Sequence, residues 1–181
     1  MKATRLSIPD VVLFEPDVFS DARGHFFESY NQKAFNEAIG FDHQFVQDNH
    51  SRSGHGVLRG LHYQIQHPQG KLVRVVGGCV WDVAVDLRKS SPTFGQWVGA
   101  ELSDENKQQM WIPPGFAHGF VTLDGVADVL YKTTEFYAPQ FERCILWSDP
   151  QLAIDWHYRG APLLSAKDVQ GVLLAAAEVF E

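Results

Sequence analysis

The sequence predicts a mostly-β fold, a sandwich or jelly roll with small helices at its two ends. Three observations predict it. Short runs rich in Val, Ile, Leu, Trp and Phe recur along the chain at about the 8–12-residue spacing of strands in a sandwich or barrel. Gly70, Gly77-Gly78, Ser90-Ser91-Pro92 and Leu123-Asp124-Gly125 separate these runs, and such clusters mark turns. Only two stretches carry a helical pattern, one near each end.

The elements follow in order. Residues 10–19 mix Val11, Val12, Leu13 and Phe14 with prolines, which suits an edge strand. Residues 31–39 are expected to form a short helix. Ala34, Phe35, Ala38 and Ile39 share one face there, and Gly40 supplies its end. β-like runs come next at 57–65, 71–76, 79–87 and 97–102. Residues 111–122 and 126–136 read as two further strands, with Leu123-Asp124-Gly125 as a hairpin turn. Residues 165–179 read as a helix with an alanine-rich centre, and Ser165-Ala166-Lys167-Asp168 matches the capping pattern of a helix start. No repeat, low-complexity tract or linker interrupts the 181 residues. Residues 1–181 are therefore expected to form a single domain with a C-terminal helix at about 165–179.

Composition narrows the function. The two cysteines, Cys79 and Cys144, form no Cys-x-x-Cys pair. This argues against a zinc ribbon, an iron–sulfur cluster or a disulfide scaffold, and it fits a reducing cytoplasm. No stretch reads as a signal peptide or a membrane span. The formal charge is −7, which argues against nucleic acid as a partner. That charge is unevenly spread. No Asp or Glu occurs from Asn49 through Trp81, a window that holds Arg52, Arg59, Lys71, Arg74 and four of the eight histidines. A locally basic middle in an acidic chain points to a pocket for a small anion; chance clustering on a solvated surface is the plainer alternative.

Common catalytic signatures are absent. There is no Gly-x-Gly-x-x-Gly, no Walker-type loop and no Gly-x-Ser-x-Gly elbow. No His-x-His pair marks a β-barrel metal site, and His62, His67 and His118 show no recognised ligand spacing. The expected metal is none. Metal-free acid–base chemistry remains. On an ideal strand Leu58, Gly60, His62 and Gln64 share a face, and Gly60 leaves room beside an imidazole that titrates near neutrality. Tyr131 could donate a proton, and Lys71, just after Gly70, could neutralise an enolate oxygen. From the residues alone each keeps a bland reading: a core histidine, a half-buried aromatic, an exposed strand-end charge. Asp168 reads either as a helix cap or as a carboxylate that orients a histidine.

Seven motifs then appear in order. They are Asp21-Ala22-Arg23-Gly24, Gln47-Asp48-Asn49-His50-Ser51, Leu58-Arg59-Gly60-Leu61-His62-Tyr63-Gln64, Gly70-Lys71-Leu72-Val73, the run from Trp81 to Arg88, the run from Ile112 to Phe120, and Leu164-Ser165-Ala166-Lys167-Asp168. Together they resemble the dTDP-4-dehydrorhamnose 3,5-epimerase family over nearly the whole chain.

The resemblance implies a cupin-like jelly roll (a double-stranded β-helix) with short peripheral helices, a homodimer and no cofactor. It implies dTDP-4-keto-6-deoxyglucose as substrate, inverted at carbons 3 and 5. By motif, His62 would be the base, Asp168 its partner, Tyr131 the proton donor on the opposite face, and Lys71 the cation at the enolate. Arg23, Glu28, Gln47, Asp48, Asn49, Arg59, His118, Glu142 and Lys167 would line the sugar-nucleotide site, and Tyr137 would stack on the thymine ring. Two tensions remain. Arg59 and His62 are three apart, so a flat strand sends them to opposite faces unless Gly60 hosts a bulge. Asp168 is asked both to cap a helix and to hold His62. A relative that inverts one carbon or moves the ketone, a non-catalytic sugar-nucleotide-binding jelly roll and a metal-dependent oxygenase stand as the alternative readings.

Overall fold

The computed structural model describes Met1–Glu181. Its strands are β1 (Lys2–Arg5), β2 (Val12–Glu15), β3 (Phe19–Asp21), β4 (Gly24–Phe26), β5 (Gln47–Gly54), β6 (Leu58–Gln64), β7 (Lys71–Asp86), β8 (Trp97–Ser103), β9 (Gln109–Ile112), β10 (Phe116–Thr133) and β11 (Glu142–Cys144). Helix α1 is Gln32–Ile39, one residue shorter than the expected 31–39 because Asn31 is its N-cap and accepts from the Ala34 N–H.

Two long antiparallel strands, β7 and β10, organise the jelly roll. Their Lys71–Val75 and Val129–Thr133 halves belong to a sheet ordered β1-β2-β9-β7-β10-β5. Their other halves belong to a sheet ordered β8-β7-β10-β6-β11. Residues 123–125 therefore do not form the expected hairpin, and the break at Gly77-Gly78 does not end a strand. The register between β7 and β10 slips around Thr122, Asp124 and Asp128, opposite Gly77-Gly78. Bulges bend a strand and raise its twist. Here both strands turn together from one sheet into the other. Gly78 sits at φ +77, where a Cβ would run into the Val126 carbonyl, so the corner itself requires glycine.

Side-chain alternation sorts three apolar layers. Val73, Val75, Val80, Ala84, Met110, Phe116, Phe120 and Val129 fill the space between the sheets. Helix α1 lays Phe35 and Ile39 on Val12, Phe14, Leu72 and Trp111 outside the first sheet. The C-terminal segment covers the outside of the second with Leu152, Trp156 and Leu174.

That segment also departs from expectation. Instead of a helix over 165–179 there is one turn, α2 (Ala166–Val169), then a 3-10 turn at Leu174–Ala176. Backbone pairing decides this. Val172 N–H donates to the Cys144 carbonyl, and Leu146 N–H donates to the Val172 carbonyl. At Gly171 a Cβ would lie 2.7 Å from the Leu146 nitrogen. The strand edge takes the hydrogen bonds that a helix would have used internally.

Candidate active site

A cavity of about 360 Å³ lies inside the barrel, beside the apolar core. Inward-facing alternate residues build its wall. Gln47, Asn49 and Ser51 come from β5, Phe120 and Tyr131 from β10, and Lys71 from the start of β7.

On β6 the simple alternation fails, and the failure makes the site. His62 pairs with His118, but Arg59 pairs with Phe120, so the strand gains a residue across Gly60-Leu61. The extra residue sends Leu58 outward to the second sheet's cover and turns Arg59, His62 and Gln64 together into the cavity. Leu58 therefore does not share a face with His62. Two glycines allow the bulge. Gly60 has φ +131, and a Cβ there would lie 2.5 Å from the Gly119 Cα and 2.9 Å from the His118 carbonyl oxygen. Both neighbours are backbone and cannot swing away. Gly60→Ala is expected to cost more than about 2 kcal/mol and to displace Arg59 relative to His62. Urea denaturation measures the first effect, and turnover beyond the stability loss measures the second. Unchanged stability would show that the bulge tolerates a side chain.

Asp168 both caps and pairs, one oxygen for each role. Oδ1 accepts from the Gly60 N–H at 3.1 Å and lies 2.7 Å from His62 Nε2. Oδ2 accepts from the Ser165 N–H at 3.2 Å and the Ser165 hydroxyl at 2.6 Å. The two readings compete only if a carboxylate has one useful oxygen. Burial alone would raise the Asp168 pKa. The hydrogen bonds from His62, Ser165 and Gly60 outweigh it and hold the carboxyl well below the usual range. With Nε2 engaged, Nδ1 is the His62 nitrogen left for a substrate.

Lys71 is buried, and its Nζ donates to the His62 carbonyl at 3.3 Å. Burial pushes its pKa down to about 8, against the opposing pull of Asp82 and Glu142. His118 is also buried, with Nε2 2.9–3.0 Å from both oxygens of the fully buried Asp82. Burial lowers the His118 pKa, and Asp82 offsets part of that. Burial raises the Tyr131 pKa, while Arg59 pulls it down. At the rim Glu142 accepts from Lys167 Nζ at 2.7 Å and from the Tyr137 hydroxyl at 2.9 Å. Gln47 Oε1 accepts from the Tyr137 N–H.

Three candidates lie away from this cavity. Asp48 is on the outward face of β5 and binds Lys132 at 3.0 Å, because the period of two that turns Gln47 and Asn49 inward turns it out. Arg23 sits on the exposed β3–β4 hairpin against Asp21. Glu28 is exposed in the segment that follows.

A family model described as dTDP-4-dehydrorhamnose 3,5-epimerase matches residues 5–176. The chain belongs to this epimerase family. It is 69% identical over 180 residues to the dTDP-4-dehydrorhamnose 3,5-epimerase of Pseudomonas aeruginosa, with 99% of each covered. The dTDP-6-deoxy-D-glucose-3,5-epimerase of Legionella pneumophila, solved in complex with dTDP-4-keto-L-rhamnose, superposes with a TM-score of 0.95 at 52% identity over 98% of this chain and 94% of that one. A 3'-monoepimerase from Streptomyces bikiniensis, solved with dTDP-quinovose, gives 0.88 at 36% identity over 94% and 86%.

In and around this epimerase-family cavity lie residues to which the motifs assigned no role. Ser51 and Gln64 line it. Each follows a candidate, Asn49 or His62, at a spacing of two, and that signal is present in the sequence. Asp82 carried a signal too, a charge inside the apolar run from Val80 to Leu87. Cys144 carried none. It lies directly across the ladder from His62, and burial pushes its thiol up to about 11.

Proposed function

We propose that this chain is a dTDP-4-dehydrorhamnose 3,5-epimerase in which His62 removes, and Tyr131 returns, the protons flanking the ketone of dTDP-4-keto-6-deoxyglucose. One observation carries the reading. The bulge at Gly60 puts His62, backed by Asp168, into one cavity with Tyr131 and the buried Lys71. Carbons 3 and 5 both adjoin carbon 4, so one base and one enolate oxygen serve both. His62 Nδ1 accepts the proton, and Asp168 stabilises the imidazolium through Nε2. Lys71 stabilises the negative oxygen, the kind of charge placement that supplies much of a rate enhancement. Tyr131 delivers a proton to the other face, and inversion requires that the two carriers differ. No step calls on a cofactor.

Arg59 and Lys167 answer the diphosphate, and Tyr137 at the rim stacks on thymine. Gln47, Asn49 and His118 hold the sugar. The chain's stronger identity to 3,5-epimerases than to the monoepimerase supports inversion at both carbons. We further infer a homodimer. The β3–β4 hairpin exposes Phe19 and Phe26 by 66% and 72% and carries Arg23 away from its own chain's cavity, positioned to serve a second copy. No helix is long and apolar enough to cross a membrane, and two free cysteines suit a cytoplasmic enzyme.

The test is proton NMR of dTDP-4-keto-6-deoxyglucose with the enzyme in heavy water, with product trapped by a reductase. Deuterium at both carbons with trapped product is the expected result. Exchange at one carbon would make the chain a monoepimerase; exchange at neither would leave a binding protein. Tyr131→Phe should continue to exchange but invert at least about tenfold more slowly. A variant that loses exchange altogether would remove Tyr131 from its role as donor.

A further inference from the structure

We propose that His62, Cys144 and Asp168 form a binding site for a zinc-class divalent cation, and that an ion held there blocks His62 as a base. The blocking step rests on the role of His62 proposed above; the binding step does not.

The ligand atoms already converge. One ring nitrogen of His62, the Cys144 sulfur and a carboxylate oxygen of Asp168 lie within 4.8 Å of one another. Sheet register brings them together. Leu61 and Ile145 exchange both backbone hydrogen bonds, and the next pair in the ladder is His62–Cys144. In an antiparallel ladder that neighbour is the non-hydrogen-bonded kind, whose side chains stand closer. Glu142 lies two residues before Cys144 and lines the sugar cavity, so the thiol points to the same side of the sheet.

The thiol has no strong partner to give up. Its one hydrogen bond is a weak donation to the Ile145 carbonyl oxygen at 3.6 Å. Asp168 keeps Oδ2 on Ser165 while Oδ1 faces His62, so an ion at Oδ1 leaves the α2 cap intact. Access does not require the sugar cavity. Cys144 lines a separate shallow depression that shares the Glu142–Lys167 pair with the sugar cavity, together with Arg143, Gln170 and Val172.

Imidazole, thiolate and carboxylate together suit zinc or cobalt and leave a fourth position for water. Binding displaces the thiol proton to solvent, so no redox partner is needed. The consequence for catalysis is specific. An ion on Nε2 takes the lone pair there and leaves the neutral ring's proton on Nδ1. That is the nitrogen that must accept the substrate proton, and the ion also replaces the hydrogen bond to Asp168.

Cobalt(II) titration of the chelator-stripped full chain tests binding without reference to activity. The expected result is a thiolate-to-cobalt charge-transfer band saturating at one ion per chain. Zinc should compete for it and abolish turnover, and a chelator should restore turnover. Cys144→Ala and Cys144→Ser should keep metal-free turnover, lose the band and bind zinc at least about tenfold more weakly. A missing band, or a band that survives in both variants, overturns the site. Zinc saturation with turnover intact overturns the block. A chain inactive at zero zinc would instead remove the epimerase reading, and the cobalt band would still decide the site.

Discussion

Replacing His62 by alanine is expected to stop solvent exchange at both carbon 3 and carbon 5, with a loss of at least about 10²–10⁴-fold in turnover. No neighbour is a ready substitute. The Tyr131 pKa is raised by burial, and the Cys144 thiol is pushed up to about 11, so neither is a base at neutral pH. Asp168 keeps the hydrogen bonds from Ser165 and Gly60 in the variant, which favour its ionised form, and it is buried on the far side of the missing imidazole. The variant keeps Arg59 and Lys167 at the cavity, so sugar-nucleotide binding should change little. Heavy-water NMR reads the exchange, and calorimetric titration reads the binding. Exchange that persists at one carbon would mean a second base. Lys71 is the first suspect, because its pKa of about 8 leaves a neutral fraction near pH 7.

Lys71→Met should move activity and stability in opposite directions. Loss of a cation at a developing oxyanion costs about 10²–10³-fold in turnover. The same lysine is expensive to bury. Its pKa falls from 10.5 to about 8, a shift worth about 3 kcal/mol against the charged form in the fold. The folded-state value lies below the unfolded one, so the penalty is fully present below about pH 8. It is relieved as pH rises from about 8 to 10.5, where folding releases the proton. Methionine has similar reach and no charge, so the variant should unfold at higher urea than its parent at pH 7, with the gain shrinking as pH rises. In the parent, kcat/KM should fall as pH rises through about 8 and Lys71 loses its proton, and Lys71→Met should lack that limb. A variant that is both active and less stable would show that Lys71 is a structural cation.

Much of the fold was legible because it rests on local regularities. Short apolar runs over 57–65 and 97–102, bounded by turn residues, marked β6 and β8. Phe35 and Ile39 on one face, with Gly40 behind them, marked α1. The same rules misjudged residues whose partners are distant. Asp124-Gly125 has the chemistry of a hairpin turn, yet it lies opposite Gly77-Gly78 and bends a continuous ladder. Residues 165–179 have helical composition, yet pairing with Cys144 and Leu146 holds that backbone open after one turn.

The candidate site divides along the same line. By itself the sequence determined which chemistry the chain carries: the histidine, tyrosine, lysine and carboxylate, the acid-free window around the histidine and the lysine, and the order of motifs that marks the family. These follow from residue type and spacing, which need no third dimension. Only the tertiary structure decided how they meet. Arg59 and His62 share a face because Gly119, nearly 60 residues away, leaves room for the bulge at Gly60. Asp168 serves helix and histidine at once because its two oxygens point at different segments. Cys144 stands beside the base only through the ladder between β6 and β11. Each depends on backbone contacts between segments far apart in the chain, and distance along a sequence carries no record of which strands will lie side by side.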